Sequence, residues 1–126
     1  MHLSEPVGDL TLRTLAMPAD ANPAGDIFGG WVLSQMDIAG GISAANRAQS
    51  RVATVGIEAM SFLKPVYIGD VFCVYTHIKS IGRTSLSVNL EAWALRQRLG
   101  DRIKVTEGVF TFVALDRSGK PKLIKN

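Results

Sequence analysis

This chain of 126 residues contains one cysteine, two histidines and no uninterrupted run of about 18 apolar residues. Each shortage closes off a class of function. Cys73, alone within the apolar run Val71 to Tyr75, has no partner for an intrachain disulfide. It reads as a small core residue, which suits a reducing, cytoplasmic setting. His2 and His77 are far apart and no Cys/His cluster accompanies them, so no zinc-ligand set is expected. A Gly-x-Ser-x-Gly elbow is also missing, which disfavours a serine nucleophile. The opening residues MHLSEPVGDL lack the basic and apolar regions of a secretory signal, and nothing in the chain is expected to span a membrane. Lys and Arg do not cluster with interleaved aromatics, so nucleic acid is not an expected partner.

What is present is an ordinary globular balance, 47% apolar and 20% charged, at a length that predicts one domain over residues 1–126. The net charge of +3 is unevenly spread. Residues 1–50 carry two basic and five acidic side chains, whereas residues 51–126 carry twelve basic and six acidic ones. The basic half is either a solvated surface or a face for an anionic partner such as a phosphorylated small molecule.

A first strand is expected over about Leu10 to Met17, then a loop to Phe28. Helical signals run from Gly29 or Gly30 to about Gln49, with Trp31, Ile38, Ile42 and Ala45 near helical spacing and small residues crowding the middle. Apolar residues on most sides predict a buried helix. Gly40 and Gly41 inside it cost about 1 kcal/mol each against Ala, so a close approach of backbone or ligand is expected there. Four long strands follow: residues 52–64, ended by Lys64-Pro65; residues 69–81; residues 82–98; and residues 102–116 after a Leu99-Gly100-Asp101 turn. In the third, Leu86, Val88, Leu90 and Ala92 alternate with polar residues. One long helix before four strands predicts an α+β fold in which a curved antiparallel sheet wraps the helix.

The chemistry is concentrated around that helix. Asp37 lies between Met36 and Ile38, where a charge is expensive unless paired or hydrogen-bonded. It suits a general base or a nucleophile, or else it is a helix acid on a polar face beside Ser34. Phe28, Gly29 and Gly30 set backbone N–H groups at a positive helix N-terminus. There they can stabilise an oxyanion, or simply form a Gly-rich cap. Asn22 and Asp26 are Asx-turn or dipole-partner candidates, with Asp26 favoured as a helix cap. Asn22 offers donors and acceptors without charge.

The segments NPAGDIFGGWVLSQMD, FLKPVYIGD, IGRTS and VTEGVFTFVALDRSGKPK resemble the hotdog-fold acyl-CoA thioesterases, in particular the YciA-type bacterial enzymes, over about Leu12 to Lys122. The resemblance implies a hotdog fold and hydrolysis of acyl-CoA to free acid and CoA, with coenzyme A as part of the substrate and no cofactor. It implies a homodimer as the minimal active unit, assembled into a hexamer. Its helix carboxylate falls on Asp37, its loop asparagine on Asn22 and its carbonyl-polarising amide on Gly29. Asn22 of one subunit is then expected to face Asp37 of the other. Gly30, Lys64, Gly82, Arg83, Thr84 and Ser85 fall in segments that contact CoA in the family. Gly40 and Gly41 would leave room for the acyl chain or the partner helix, and Met60, Phe62 and Trp93 are candidates to line the acyl pocket. Two other readings of the same fold are a non-catalytic acyl-CoA sensor and a hydratase/dehydratase. The latter needs a histidine that neither His2 nor His77 supplies.

Overall fold

The computed structural model describes residues 5–96 and 100–125. Its elements are β1 (Asp9–Leu15), a 3-10 turn (Pro18–Asp20), α1 (Gly29–Ala48), β2 (Arg51–Phe62), β3 (Val71–Ile81), β4 (Ser85–Leu95) and β5 (Arg102–Leu115). His2 and the end of the third expected long strand, up to Arg98, lie outside the described residues, as does Leu99 of the following turn.

The five strands form one antiparallel sheet in the order β1-β3-β4-β5-β2. The chain thus enters on one edge, crosses the sheet as α1 and re-enters on the opposite edge. Helix α1 touches all five strands, the wrapped arrangement the hotdog resemblance implies. Alternation along β4 places Leu86, Val88, Leu90 and Ala92 in the core, as expected, where Phe110 and Phe112 of β5 join them.

The helix departs from the sequence reading. Its core stripe is Val32, Met36, Ala39, Gly40, Ala44 and Ala48. Ile38 and Ile42, expected on the buried stripe, are 48% and 52% exposed. A sheet curls around only one side of a helix, so one protomer leaves the other side uncovered. Gly40 also differs from expectation. A Cβ there would sit 2.8 Å from Cζ of Phe112 and 3.3 Å from Cδ1 of Leu90, so its space belongs to the helix–sheet contact and is not free for an acyl chain. Gly41 is looser, with Phe112 Cε2 at 3.9 Å.

Strand β2 is an edge strand, bent by register shifts between Thr54 and Gly56 and between Glu58 and Ser61. Ala59 takes up the second bend at φ 52°. Val55 and Ile57 project from this strand with 61% and 42% exposure. Ile38 and Ile42 on α1 and Val55 and Ile57 on this edge strand are thus apolar side chains that one protomer leaves uncovered. Among the described residues no helix is long and apolar enough to cross a membrane.

Candidate active site

Phe28 is the N-cap of α1 and makes no side-chain capping bond. The loop before it is pinned through its backbone: Ile27 N–H donates to the Val66 carbonyl at 2.9 Å, and Phe28 N–H donates to the Asp20 carbonyl at 3.0 Å. Trp31 and Val32 N–H both turn back to the Phe28 carbonyl. Gly29 and Gly30 N–H have no backbone or side-chain acceptor among the described residues, and both glycines are exposed. Two donors at the positive end of a 20-residue helix are therefore open to a ligand oxygen. Asp26 does not cap the helix. Its backbone pairs with Tyr67 in an isolated antiparallel bridge, which fastens the loop to the turn after β2.

Asp37 lies about 12 Å further along the helix axis. It is half-buried, and Thr54 Oγ1 on β2 donates to its Oδ1 at 2.5 Å. This is the short range of a charge-assisted bond. It fixes one carboxylate oxygen and leaves the other to substrate or water. Thr54 is a partner of Asp37 that the sequence did not reveal. Only the register of an edge strand against the helix puts it there.

Asn22 shapes its own loop. Its Oδ1 accepts N–H from Ala24 at 3.0 Å and from Asp26 at 3.1 Å, an Asx turn closed by Asn22 N–H to the Asp26 carbonyl at 2.7 Å. Two backbone donors on one atom identify it as the oxygen and occupy both its lone pairs. Only the Nδ2 amide hydrogens remain for a ligand. Within one protomer no hydrogen bond joins Asn22 to Asp37 among the described residues.

The candidate CoA contacts divide between opposite ends of the sheet. Lys64 N–H and Leu63 N–H both donate to the Val105 carbonyl near the start of β5. The Gly82–Ser85 loop lies at the other end of that strand: Ala114 N–H donates to the Thr84 carbonyl, and Ile124 N–H to the Arg83 carbonyl. Roughly 30 Å of strand separates the two. Lys64 shares with Gly29 a cavity of about 230 Å³, walled by Ile27, Val32, Phe62 and Val66. The exposed Arg83 instead has the C-terminal segment of Lys122 and Lys125 beside it, and Arg47 Nη1 donates to the Lys125 carbonyl at 2.9 Å. Sequence spacing did not group these four cations.

Of the acyl-pocket candidates, only Phe62 lines the cavity at Gly29. Met60 fills the space over Gly108, whose added Cβ would meet Met60 Sδ at 2.7 Å. Trp93 is buried and donates Nε1–H to Glu91 at 3.0 Å, two residues away on the face of β4 opposite the helix. His77 is exposed on β3, opposite Asn89. Among the described residues no group of three or more His, Cys, Asp or Glu could hold a metal.

Residues 24–100, more than half of the chain, match the thioesterase superfamily model. The chain belongs to that superfamily. It is 52% identical over 122 residues to the acyl-CoA thioester hydrolase YciA of Escherichia coli, covering 94% of this chain and 92% of the relative. Its structure is similar to that of a hexameric thioesterase from Yersinia pestis, with a TM-score of 0.92, 50% identity, and 97% and 100% of the two chains covered. It is also similar to a hexameric broad specificity acyl-coenzyme A thioesterase, solved as an aspartate-to-alanine variant. That pair has a TM-score of 0.92 and 46% identity, covering 95% of this chain and 88% of the other.

Proposed function

We propose that this protein hydrolyses acyl-CoA thioesters to a free carboxylic acid and CoA, with Asp37 as the catalytic carboxylate. The observation that carries the reading is that α1 offers both halves of a shared site, open amides at Gly29 and Gly30 and, about 12 Å further on, a half-buried carboxylate oriented by Thr54, so that two subunits together complete it. The Gly29 N–H polarises the thioester carbonyl and holds the developing oxyanion. About 12 Å of helix separates Gly29 from Asp37 of its own chain, so it is Asp37 of the partner subunit that takes a proton from water as the water oxygen bonds to the carbonyl carbon, or else attacks that carbon itself. Collapse of the tetrahedral intermediate breaks the C–S bond, and the sulfur leaves as the CoA thiol or thiolate. Water and thioester balance the reaction, so no further cofactor is required. Asn22 serves as a donor through Nδ2, to the carbonyl or to the attacking water.

The minimal active unit is a homodimer, assembled as a hexamer like the two solved relatives. The long unpaired edge of β2 and the apolar surface of Val55, Ile57, Ile38 and Ile42 support this reading, since pairing with a second copy covers both. Asn22 of one subunit then meets Asp37 of the other. Dimerisation also allows Lys64 of one chain and Arg83, Thr84 and Ser85 of another to hold one CoA. The cations bind its phosphates. The single buried thiol, Cys73, is compatible with a cytoplasmic enzyme.

The test is release of CoA, followed with a thiol reagent, from acyl-CoAs of short, medium and long chain. Wild type should turn over at least one class and Asp37→Ala should lose at least about a hundredfold in kcat. Near-wild-type turnover by Asp37→Ala would refute the assignment of the carboxylate. An absence of CoA release from every chain length would leave a binding protein.

A further inference from the structure

Thr106 is 1% exposed, and its Oγ1 has no hydrogen-bond partner among the described residues. It is a residue of the cavity that holds Gly29 and Lys64. Its orientation follows from strand register. Thr106 pairs directly with Phe62 on β2 and with Ala92 on β4, and directly paired residues share a face of the sheet. That face is the one covered by α1, where Ala92 lies in the core. A bulge sets this register: Ala92 pairs with Thr106, whereas Trp93 pairs with Lys104, so Val105 is the extra residue. The Val105 carbonyl takes both the Leu63 and the Lys64 N–H, which draws the cavity wall onto the same spot. Backbone irregularity, cavity wall and unpartnered hydroxyl thus coincide.

A buried hydroxyl without a partner is destabilising, and valine would fill the same volume without that cost. The cavity is otherwise apolar on the helix side, with Ile27, Val32 and Val66 buried around it. Phe62 is 57% exposed and lies 3.7 Å from the Cβ position of Gly29, so it stands at the mouth as a side chain that an entering group can displace. We propose that the Thr106 hydroxyl is a specificity-determining group: it hydrogen-bonds an oxygen substituent on a short acyl chain whose carbonyl is held at Gly29. The ligand class is a short acyl thioester bearing a hydroxyl or keto oxygen a few atoms from the carbonyl. This rests on the hydrolase reading above and names the substrate that the site prefers.

The experiment compares kcat/KM for 3-hydroxybutyryl-CoA and butyryl-CoA in the wild type, Thr106→Val and Thr106→Ser. The expected result is a fall of about tenfold in the 3-hydroxybutyryl to butyryl ratio for Thr106→Val, with the ratio kept by Thr106→Ser. A ratio unchanged in Thr106→Val, accompanied by a higher Tm, would overturn the proposal and leave the hydroxyl a simple cost of the core. If Thr106→Val fails to fold, a tenfold fall or an unchanged ratio is sought in Thr106→Ala with the same meaning. Turnover of butyryl-CoA by the wild type separates the two claims. Its presence with an unchanged ratio sinks only the specificity, and release of CoA from neither substrate sinks both.

Discussion

Thr54 and Asp37 are joined by a 2.5 Å hydrogen bond that ties the edge strand β2 to the middle of α1. The bond holds the carboxylate in one rotamer. In the proposed mechanism Thr54 acts through Asp37 as a positioning residue. Thr54→Val should lower kcat by about tenfold or more while KM changes little, and Thr54→Ser should restore much of the loss. Equal losses in Thr54→Val and Thr54→Ser, or a change confined to KM, would count against this role.

The adjacent glycines of α1 should respond in opposite ways to alanine. At Gly40 the new Cβ would lie 2.8 Å and 3.0 Å from two ring carbons of Phe112, itself fully buried, so the ring cannot retreat without disturbing the sheet. Gly40→Ala should cost about 1–3 kcal/mol, read as a lower denaturation midpoint. At Gly41 the nearest neighbour is 3.9 Å away, and the helix gains from a better former. Gly41→Ala should stabilise by up to about 1 kcal/mol in the same assay. Like responses at the two positions would contradict the packing described for α1.

The sequence was legible where one element or one motif carries the information. The α1 span, the succession of strands along the chain and the inward face of β4 followed from periodicity and turn residues, because these are local, whereas the order β1-β3-β4-β5-β2 within the sheet did not. Asp37 was singled out because a charge between Met36 and Ile38 conflicts with its neighbours. What was not legible depends on register between distant segments. Thr54 reaches Asp37 through the register of an edge strand, and Thr106 faces the Gly29 cavity through a bulge, neither of which a local pattern in the sequence revealed. Ile38 and Ile42 were misread for a related reason. Apolarity around a helix signals that its faces are covered, and it does not say whether the cover comes from the same chain. The separation of Lys64 from Arg83 likewise follows from the length of β5, to which motif order is blind.

Arg96 holds the wall of the candidate site from outside. Its Nε and Nη2 donate to the two oxygens of buried Asp70 at 3.1 and 2.9 Å, and Nη2 also donates to the Pro65 carbonyl at 3.0 Å. The guanidinium stacks over the Tyr67 ring at 4.4 Å. Asp70, hydrogen-bonded to Arg96, pushes the Arg96 pKa up, so the guanidinium stays charged. Removing the arginine strands an aspartate that is 3% exposed. The usual penalty of about 3–5 kcal/mol must be discounted because Arg96 is itself 24% exposed. Arg96→Ala should therefore lose about 1–3 kcal/mol, while Asp70→Asn with Arg96→Ala together should lose less than the sum of the single changes, as a double-mutant cycle by urea denaturation would record.

Asp116 orders the turn that presents Arg117 and Lys120. Its Oδ1 accepts from the Lys120 and Ser118 N–H groups and from the Ser118 hydroxyl, and these bonds, with Lys120 foremost, lower its pKa below the ordinary 3.8. A depressed carboxylate contributes its support above the unfolded value and loses it as pH falls through the folded one. The turn should accordingly be intact at pH 5 and loosen only below about pH 4. An NMR titration of Asp116 should give a midpoint under 3.8, with the Ser118 and Lys120 amide shifts moving in step, and a midpoint at or above that value would contradict the hydrogen bonding.

Asn22 offers a separation of loop geometry from chemistry. Its Oδ1 is consumed by the Ala24 and Asp26 amides, so aspartate at this position can keep the Asx turn, whereas alanine cannot. Aspartate lacks the Nδ2 donor and adds a negative charge where the proposed mechanism binds the developing oxyanion or the attacking water. If Asn22 serves only to shape the loop, Asn22→Asp should retain kcat and Asn22→Ala should lose it. If the amide donates to the reacting groups, both variants should fall by about a hundredfold or more in kcat, with Asn22→Asp holding the wild-type Tm. The second outcome is expected. Mixing Asn22→Ala with Asp37→Ala protomers extends the test, because dissociation and reassociation should then recover activity in those dimers where one site draws both intact residues from opposite chains. No recovery on mixing, with mixed dimers verified by mass, would show that each site takes Asn22 and Asp37 from a single chain.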